Sequence, residues 1–235
     1  HHHYAIPAPR RAEATQVTHT LEDDCLPNLE GLRSLADRNT KMSTINNPNN
    51  PTGSLIPDDV MKEIVDISKS VGAYVLSDVV YRGISEDGGY MTSIVDMYDK
   101  GISVGSMSKI FSLAGLRMGC IVTRDAALRA ACTERRDYDT ISCGVLDDML
   151  SALALKNKEA IFKRNRAILE ANRAILDKWV RETPEVEYRR PVAGTTALVY
   201  YKKDIPSREL AIRLIKEKGT LVTPGECFEM EGSLR

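Results

Sequence analysis

Through residue 123 the chain repeats one pattern: a short apolar run of strand length, a turn, then a stretch with apolar residues at helical spacing. Ala14 to Leu21 reads as a short strand. Leu26-Pro27-Asn28-Leu29-Glu30 opens a helix running to about Arg38, with Leu29, Leu32 and Leu35 on one face. Met42 to Ile45 is a strand of the buried type, and Pro57 starts a helix through about Ser70 with Val60, Ile64 and Ile67 as its stripe. Tyr74 to Leu76 is the next strand, and a short helix near Ile94 to Tyr98 leads to strands at Ile102 to Val104 and Met118 to Val122. Such alternation predicts an α/β fold, a mostly parallel sheet flanked by helices. Ligands of these sheets bind beyond the carboxyl ends of the strands. Asn50, Asp78 and Lys109 each follow the carboxyl end of a different predicted strand, so one crevice is expected to gather all three.

Beyond Thr123 the pattern changes. Asp125 to Tyr138, Gly144 to Leu155 and a long amphipathic run from Lys158 to Glu182 are helical, the last with Ile161, Ile168, Ile175 and Leu176 expected to face inward. Its many Lys and Arg residues read as a solvated face. Strands follow at Val186 to Tyr188 and Thr196 to Tyr201, then a helix at Ser207 to Glu217 and a final strand at Thr220 to Thr223. This order divides the chain into a large domain over residues 4–157 and a smaller α+β domain over 158–235, joined by the long helix.

Composition narrows the function classes. With 235 residues, 43% of them hydrophobic and 28% charged, the chain has the make-up of a globular protein with a sizeable core. A net charge of -1 gives no reason to expect nucleic acid or an anionic membrane as partner. No apolar run approaches the roughly 20 residues of a membrane span, and no secretory signal is visible. The 5 cysteines are scattered without CxxC spacing, which argues against a disulfide framework or zinc site and for a cytoplasmic setting. His1 to His3 read as the remnant of an affinity tag, leaving His19; histidine-centred catalysis and metal binding are not expected.

The chemistry concentrates in Ser106-Met107-Ser108-Lys109-Ile110-Phe111-Ser112-Leu113-Ala114-Gly115-Leu116-Arg117-Met118-Gly119. A lysine among Ser, Gly and apolar neighbours is expected to lose hydration, which favours its neutral amine and hence Schiff-base chemistry. Ser106 and Ser108 supply hydroxyl donors, and Arg117 a permanently charged planar fork, the set a phosphate dianion needs. A reactive amine beside a phosphate cradle suggests pyridoxal phosphate. The same residues also suit an ordinary strand-to-loop crossing with a solvated lysine. Upstream, Asn46-Asn47-Pro48-Asn49-Asn50-Pro51-Thr52-Gly53 is a dense turn signal. Aiming Asn50 into the crevice requires a sharp bend, and X-Pro bonds adopt cis at a cost of only about 0.5–1 kcal/mol, so a cis Asn50–Pro51 bond is expected.

Taken together these residues resemble the class I/II aminotransferases, members of the fold-type I pyridoxal-phosphate enzymes. The likeness rests on Asn50-Pro51-Thr52-Gly53, on Asp78 with Tyr81, and on Ser106-x-Ser108-Lys109 with Arg117 and Gly119. Leu26-Pro27-Asn28-Leu29, Pro191 to Thr196 and Val222-Thr223-Pro224-Gly225 agree with it. The resemblance implies that Lys109 carries the cofactor as a Schiff base, with Ser106, Ser108 and Arg117 on its phosphate. Asp78 would pair with the pyridine nitrogen, and Asn50 and Tyr81 would bond the phenolic oxygen. A carboxylate beside that nitrogen favours the protonated ring, the better electron sink. Considered singly, Asp78 also suits a turn cap, Tyr81 a core aromatic and Asn50 a turn residue.

By the same resemblance Arg235 grips the substrate α-carboxylate, although as the last residue it also reads as an exposed terminal arginine. Tyr138 to Ser142 resembles a loop that approaches the neighbouring subunit's cofactor. The implied activity is amino-group transfer between an amino acid and a 2-oxo acid by a homodimer. The alternatives are elimination or cyclisation on the same fold, or a sensor domain that binds the cofactor without turnover. Family members are longer and carry a glycine-rich phosphate loop and a ring-stacking aromatic ahead of this stretch, so the chain is expected to be part of a longer polypeptide.

Overall fold

The computed structural model describes residues 14, 15, 17 and 25–235. The strand expected at Ala14 to Leu21, the three leading histidines and His19 lie outside the described residues. The first helix, α1 (Leu29–Leu35), begins where Asn28 Oδ1 accepts the Gly31 N–H at 2.9 Å. Strand β1 (Met42–Asn46) is followed by α2 (Asp58–Ser70) and β2 (Tyr74–Asp78). In α2, Asp58 and Asp59 lie in the first turn and Lys69 in the last, complementing the helix dipole. Met61, Ile64 and Val65 of this helix are buried with Ile56, Val75, Ile94 and Val95 as one core cluster under the sheet, and Ile67 is buried as well. A short helix, α3 (Ile94–Met97), precedes β3 (Gly101–Ser106). After a compact loop comes β4 (Gly119–Thr123).

The first sheet has the order β1-β2-β3-β4. β1 and β3 both run parallel to β2, with Asn46 opposite Asp78 and Asp78 opposite Val104. This register brings the carboxyl ends of the three strands, and the loops after them, to one edge. β4 returns antiparallel to β3, pairing Gly119 with Ser106, because the loop over residues 107–118 is a tight reversal rather than a crossover helix.

Helices α4 (Ala126–Asp139), α5 (Val145–Lys156) and the long α6 (Lys158–Glu182) follow. The inward stripe of α6 differs from expectation. Ile168 and Ile175 are exposed, at 45% and 69%, while Phe162, Asn165 and Arg173 are the buried residues. Two of those three are polar and hold specific partners, so a pattern read from apolar residues alone selects a neighbouring stripe. The second sheet, of order β5-β6-β7, joins β5 (Val186–Tyr188), β6 (Val199–Tyr201) and β7 (Ser233–Leu234) antiparallel, with α7 (Ser207–Lys218) between β6 and β7. Thr220 to Thr223 is not a strand. Leu221 is 81% exposed, and only Thr223 meets the sheet's last residues, exchanging two backbone hydrogen bonds with Arg235. Among the described residues no helix is long and apolar enough to cross a membrane.

The two sheets are stitched together at residues 191–194. Gly53 O accepts from Val192 N at 3.1 Å and Ala193 N at 3.0 Å, while Glu86 N donates to Val192 O and Gly194 N to Ile84 O. Gly53 has φ +69, and a Cβ there would stand 2.3 Å from Pro191 Cβ. Gly53→Ala should therefore combine a left-handed penalty of roughly 1–2 kcal/mol with overpacking of roughly 1–3 kcal/mol. A clear fall in the urea midpoint of the intact protein is expected; an unchanged midpoint would show that this junction yields freely.

An ion cluster flanks the same junction. Arg190 Nη1 meets Glu86 Oε2 at 2.7 Å and its Nε meets Asp177 Oδ2 at 3.0 Å, while the buried Arg173 lies 3.4 Å from Glu86 Oε1. Tyr188 donates its hydroxyl proton to Asp177. The Arg190 hydrogen bond holds the Glu86 carboxyl below its ordinary value, and the Tyr188 hydrogen bond does the same for Asp177. Burial, then the Asp177 contact, pushes the Tyr188 phenol up to about 12 from an ordinary 10.0. Lowered carboxyls stabilise the fold above their unfolded values, and this stability is lost as pH falls through the folded ones. A raised phenol acts in the opposite sense, stabilising below pH 10.0 and losing that contribution on the way to about 12. Thermal unfolding between pH 9 and 12 should consequently fall less steeply in Tyr188→Phe than in the unaltered protein. Equal slopes would remove Tyr188 from the alkaline transition.

Candidate functional site

The Asn-Pro turn after β1 carries Asn50 to the carboxyl edge of the first sheet. Both Asn47–Pro48 and Asn50–Pro51 are cis, the second as expected. Asn46 organises the turn: its Oδ1 accepts Asn50 N at 2.7 Å, and its Nδ2 donates to Asp78 O at 3.3 Å. Asn50 Nδ2 in turn donates to the hydroxyl of the buried Tyr81 at 3.3 Å. From the second sheet Arg235 reaches across, donating through Nη1 to Asn50 Oδ1 at 3.2 Å and through Nη2 to Thr223 Oγ1 at 3.0 Å. The Phe228 ring lies 5.1 Å below its guanidinium. Asp78, at the end of β2, accepts Val80 N at Oδ1, 3.1 Å away.

The lysine loop occupies the next position along the edge. Ser106 Oγ accepts Ser108 N at 3.0 Å and donates to Met118 O at 3.3 Å. Backbone bonds from Ser112 N to Lys109 O and from Leu113 N to Met107 O close the loop. Met107, Ile110 and Phe111 turn into the core beside Phe162. Lys109 is left on the outer side and is exposed, so the loss of hydration expected for it is not provided by the described residues. Arg117 is also exposed, takes the left-handed conformation (φ 53) and donates to Ala114 O at 2.7 Å.

Asn50, Tyr81 and Arg235 thus form one hydrogen-bonded row tied to Asp78 through Asn46, and Ser106 meets Ser108. Among the described residues, Lys109 and Arg117 form no hydrogen bond to the other candidates. Residues 2–235 match the family model described as aminotransferase class I and II. The chain belongs to the class I and II aminotransferases. A PLP-dependent aminotransferase from Streptococcus suis 89-1591 has 42% sequence identity and superposes with a TM-score of 0.91 over 97% of this chain and 61% of its own. Among curated relatives, a capreomycidine synthase from Streptomyces vinaceus is 26% identical over 91% of this chain and 55% of its own length. An aspartate aminotransferase from Sulfurisphaera tokodaii is 29% identical over 87% and 52%. The chain therefore spans about half the length of those curated aminotransferase-family relatives.

Two residues that hold the candidate site together are not singled out by a reading of sequence. Asn46 and Thr223 hold Asn50 and Arg235, yet each has only a turn-forming or strand-forming character in sequence. The run of asparagines signals that some side chains must serve the turn, but only the fold selects Asn46.

Proposed function

We propose that the protein moves an amino group from an amino acid to a 2-oxo acid with pyridoxal phosphate held at Lys109, acting as a cytoplasmic homodimer. The observation that carries this reading is the row Tyr81–Asn50–Arg235 joined through Asn46 to Asp78. Its donor set fits the cofactor. Two neighbouring donors, Tyr81 and Asn50, suit one phenolic oxygen; the Asp78 carboxylate suits a protonated ring nitrogen; the hydroxyls of Ser106 and Ser108 with the Arg117 guanidinium suit a phosphate. When bound, pyridoxal phosphate supplies an aldehyde that condenses with amines and a ring that withdraws electrons from the adjacent carbon.

Each side chain then has a task. Asp78 would hold a proton at the ring nitrogen, and Tyr81 and Asn50 would hold the ring by its oxygen. Lys109 Nζ, once free, moves the proton at the substrate α-carbon. Arg235 orients the substrate by its α-carboxylate through a planar fork. The reading includes a large domain over 4–157 and a small one over 158–235, supported by the two separate sheets and the intervening helix. A homodimer is supported by the apolar face that α5 presents, where Leu146 is 74% and Met149 63% exposed.

An amino-donor screen on the intact protein tests the reading. A 2-oxo acid should accumulate from at least one amino acid in step with amination of an added acceptor. Release of ammonia without acceptor would assign elimination instead, a cyclic product would assign cyclisation, and cofactor binding without turnover of any donor would make it a sensor.

A further inference from the structure

The buried face of α6 carries one side chain that reaches the lysine loop directly. Asn165 is 8% exposed, and its Nδ2 donates to Ile110 O at 2.7 Å and to Ser112 Oγ at 3.3 Å. Its Oδ1 accepts from Arg164 Nη1 at 3.0 Å, which fixes which way the amide faces. Both protons of the amide are thereby spent on residues one and three positions after Lys109. Ser112 has φ 59, a left-handed conformation that a serine adopts only when its surroundings impose it. One turn earlier on the helix, Phe162 packs against Phe111 with tilted rings whose centroids are 5.1 Å apart. Apolar contact seats the loop, but it is indifferent to rotation of the peptide after Lys109. The amide is the directional element.

We propose that Asn165 is a positioning residue for Lys109: its amide clamps the Ile110 carbonyl and the Ser112 hydroxyl, and so sets where the Lys109 backbone aims its side chain. The proposal rests on the reading of Lys109 as the cofactor-bearing lysine. Lys109 is exposed, and no hydrogen bond holds its amine among the described residues, so the direction of the side chain depends on the backbone beneath it. The clamp links the helix that leads into the second sheet with the loop at the edge of the first.

The test uses the intact protein loaded with pyridoxal phosphate and three forms: unaltered, Asn165→Leu, which keeps the volume but removes both donors, and Asn165→Gln, which keeps the amide. Hydrogen exchange followed by mass spectrometry should show the Ser112 and Leu113 amides exchanging at least tenfold faster in Asn165→Leu, with peptides over residues 58–70 unchanged. The value of kcat should fall at least tenfold while KM for the amino donor stays within twofold, and Asn165→Gln should recover part of both losses. Unchanged exchange in Asn165→Leu overturns the clamp, and faster exchange with unaltered kcat overturns the positioning role. If Asn165→Leu does not fold, Ser112→Ala is expected to give the same local change at smaller size, and none there overturns the proposal. An unaltered protein that exchanges slowly at Ser112 but turns over no amino donor would instead refute the functional reading, and with it the role assigned to the clamp.

Discussion

Lys109→Ala should leave a folded protein that no longer turns over amino acids. The side chain is exposed and makes no hydrogen bond among the described residues, so its removal should change stability by no more than about 0.5 kcal/mol. In the proposed reaction, chemistry depends on it twice, as the amine that would carry the aldehyde and as the group that would move the α-carbon proton. Loss of a positioned proton-transfer group alone costs on the order of 10²–10⁴ in rate, and loss of the covalent anchor adds to that. The proposed phosphate holders Ser106, Ser108 and Arg117 would remain, so part of the cofactor affinity should survive. Gel filtration of the loaded variant, its thermal midpoint and its turnover check the three parts separately. Substantial turnover with an unchanged midpoint would remove Lys109 from the reaction.

Asp78→Asn is expected to have the next largest effect while preserving the structure around it. In the fold the carboxylate accepts Val80 N at Oδ1, and an asparagine oxygen accepts the same bond. What an amide cannot do is hold the ring nitrogen protonated with a full negative charge. Preorganised electrostatic contacts of this kind are worth on the order of 10²–10³ in kcat, so cofactor retention near normal with a rate loss of that size is the expected pair of results. Asp78→Ala serves as the comparison, since it removes the Val80 cap as well and should also lower the unfolding midpoint. Near-normal turnover by Asp78→Asn would show that the aspartate serves the turn alone.

Much of the first sheet was legible from apolar runs and their punctuation. Pro57 ahead of two aspartates marks the start of α2, and Met42, Tyr74 and Ile102 fall within strands whose order brings Asn50, Asp78 and the lysine loop to one edge. Long-range polar contacts were not legible. Asn165 lies 55 positions from Ile110, and an asparagine in a helix carries no mark of a partner so distant. For the same reason the stripe of α6 was misplaced: Arg173 is buried because Glu86 from the first half of the chain meets it, which no local periodicity records. β7 is two residues long, too short to alternate, and took the place expected for Thr220 to Thr223. Nor does an arginine announce a left-handed backbone, as Arg117 shows.

Borohydride reduction of the intact protein loaded with pyridoxal phosphate, followed by proteolysis and mass spectrometry, tests the place of the cofactor most directly. The added mass should appear on the peptide spanning Ser106 to Arg117, at Lys109 and at no other lysine. The same mass on a different lysine, or on none after saturation with cofactor, would contradict the assignment of this edge of the sheet as the active site.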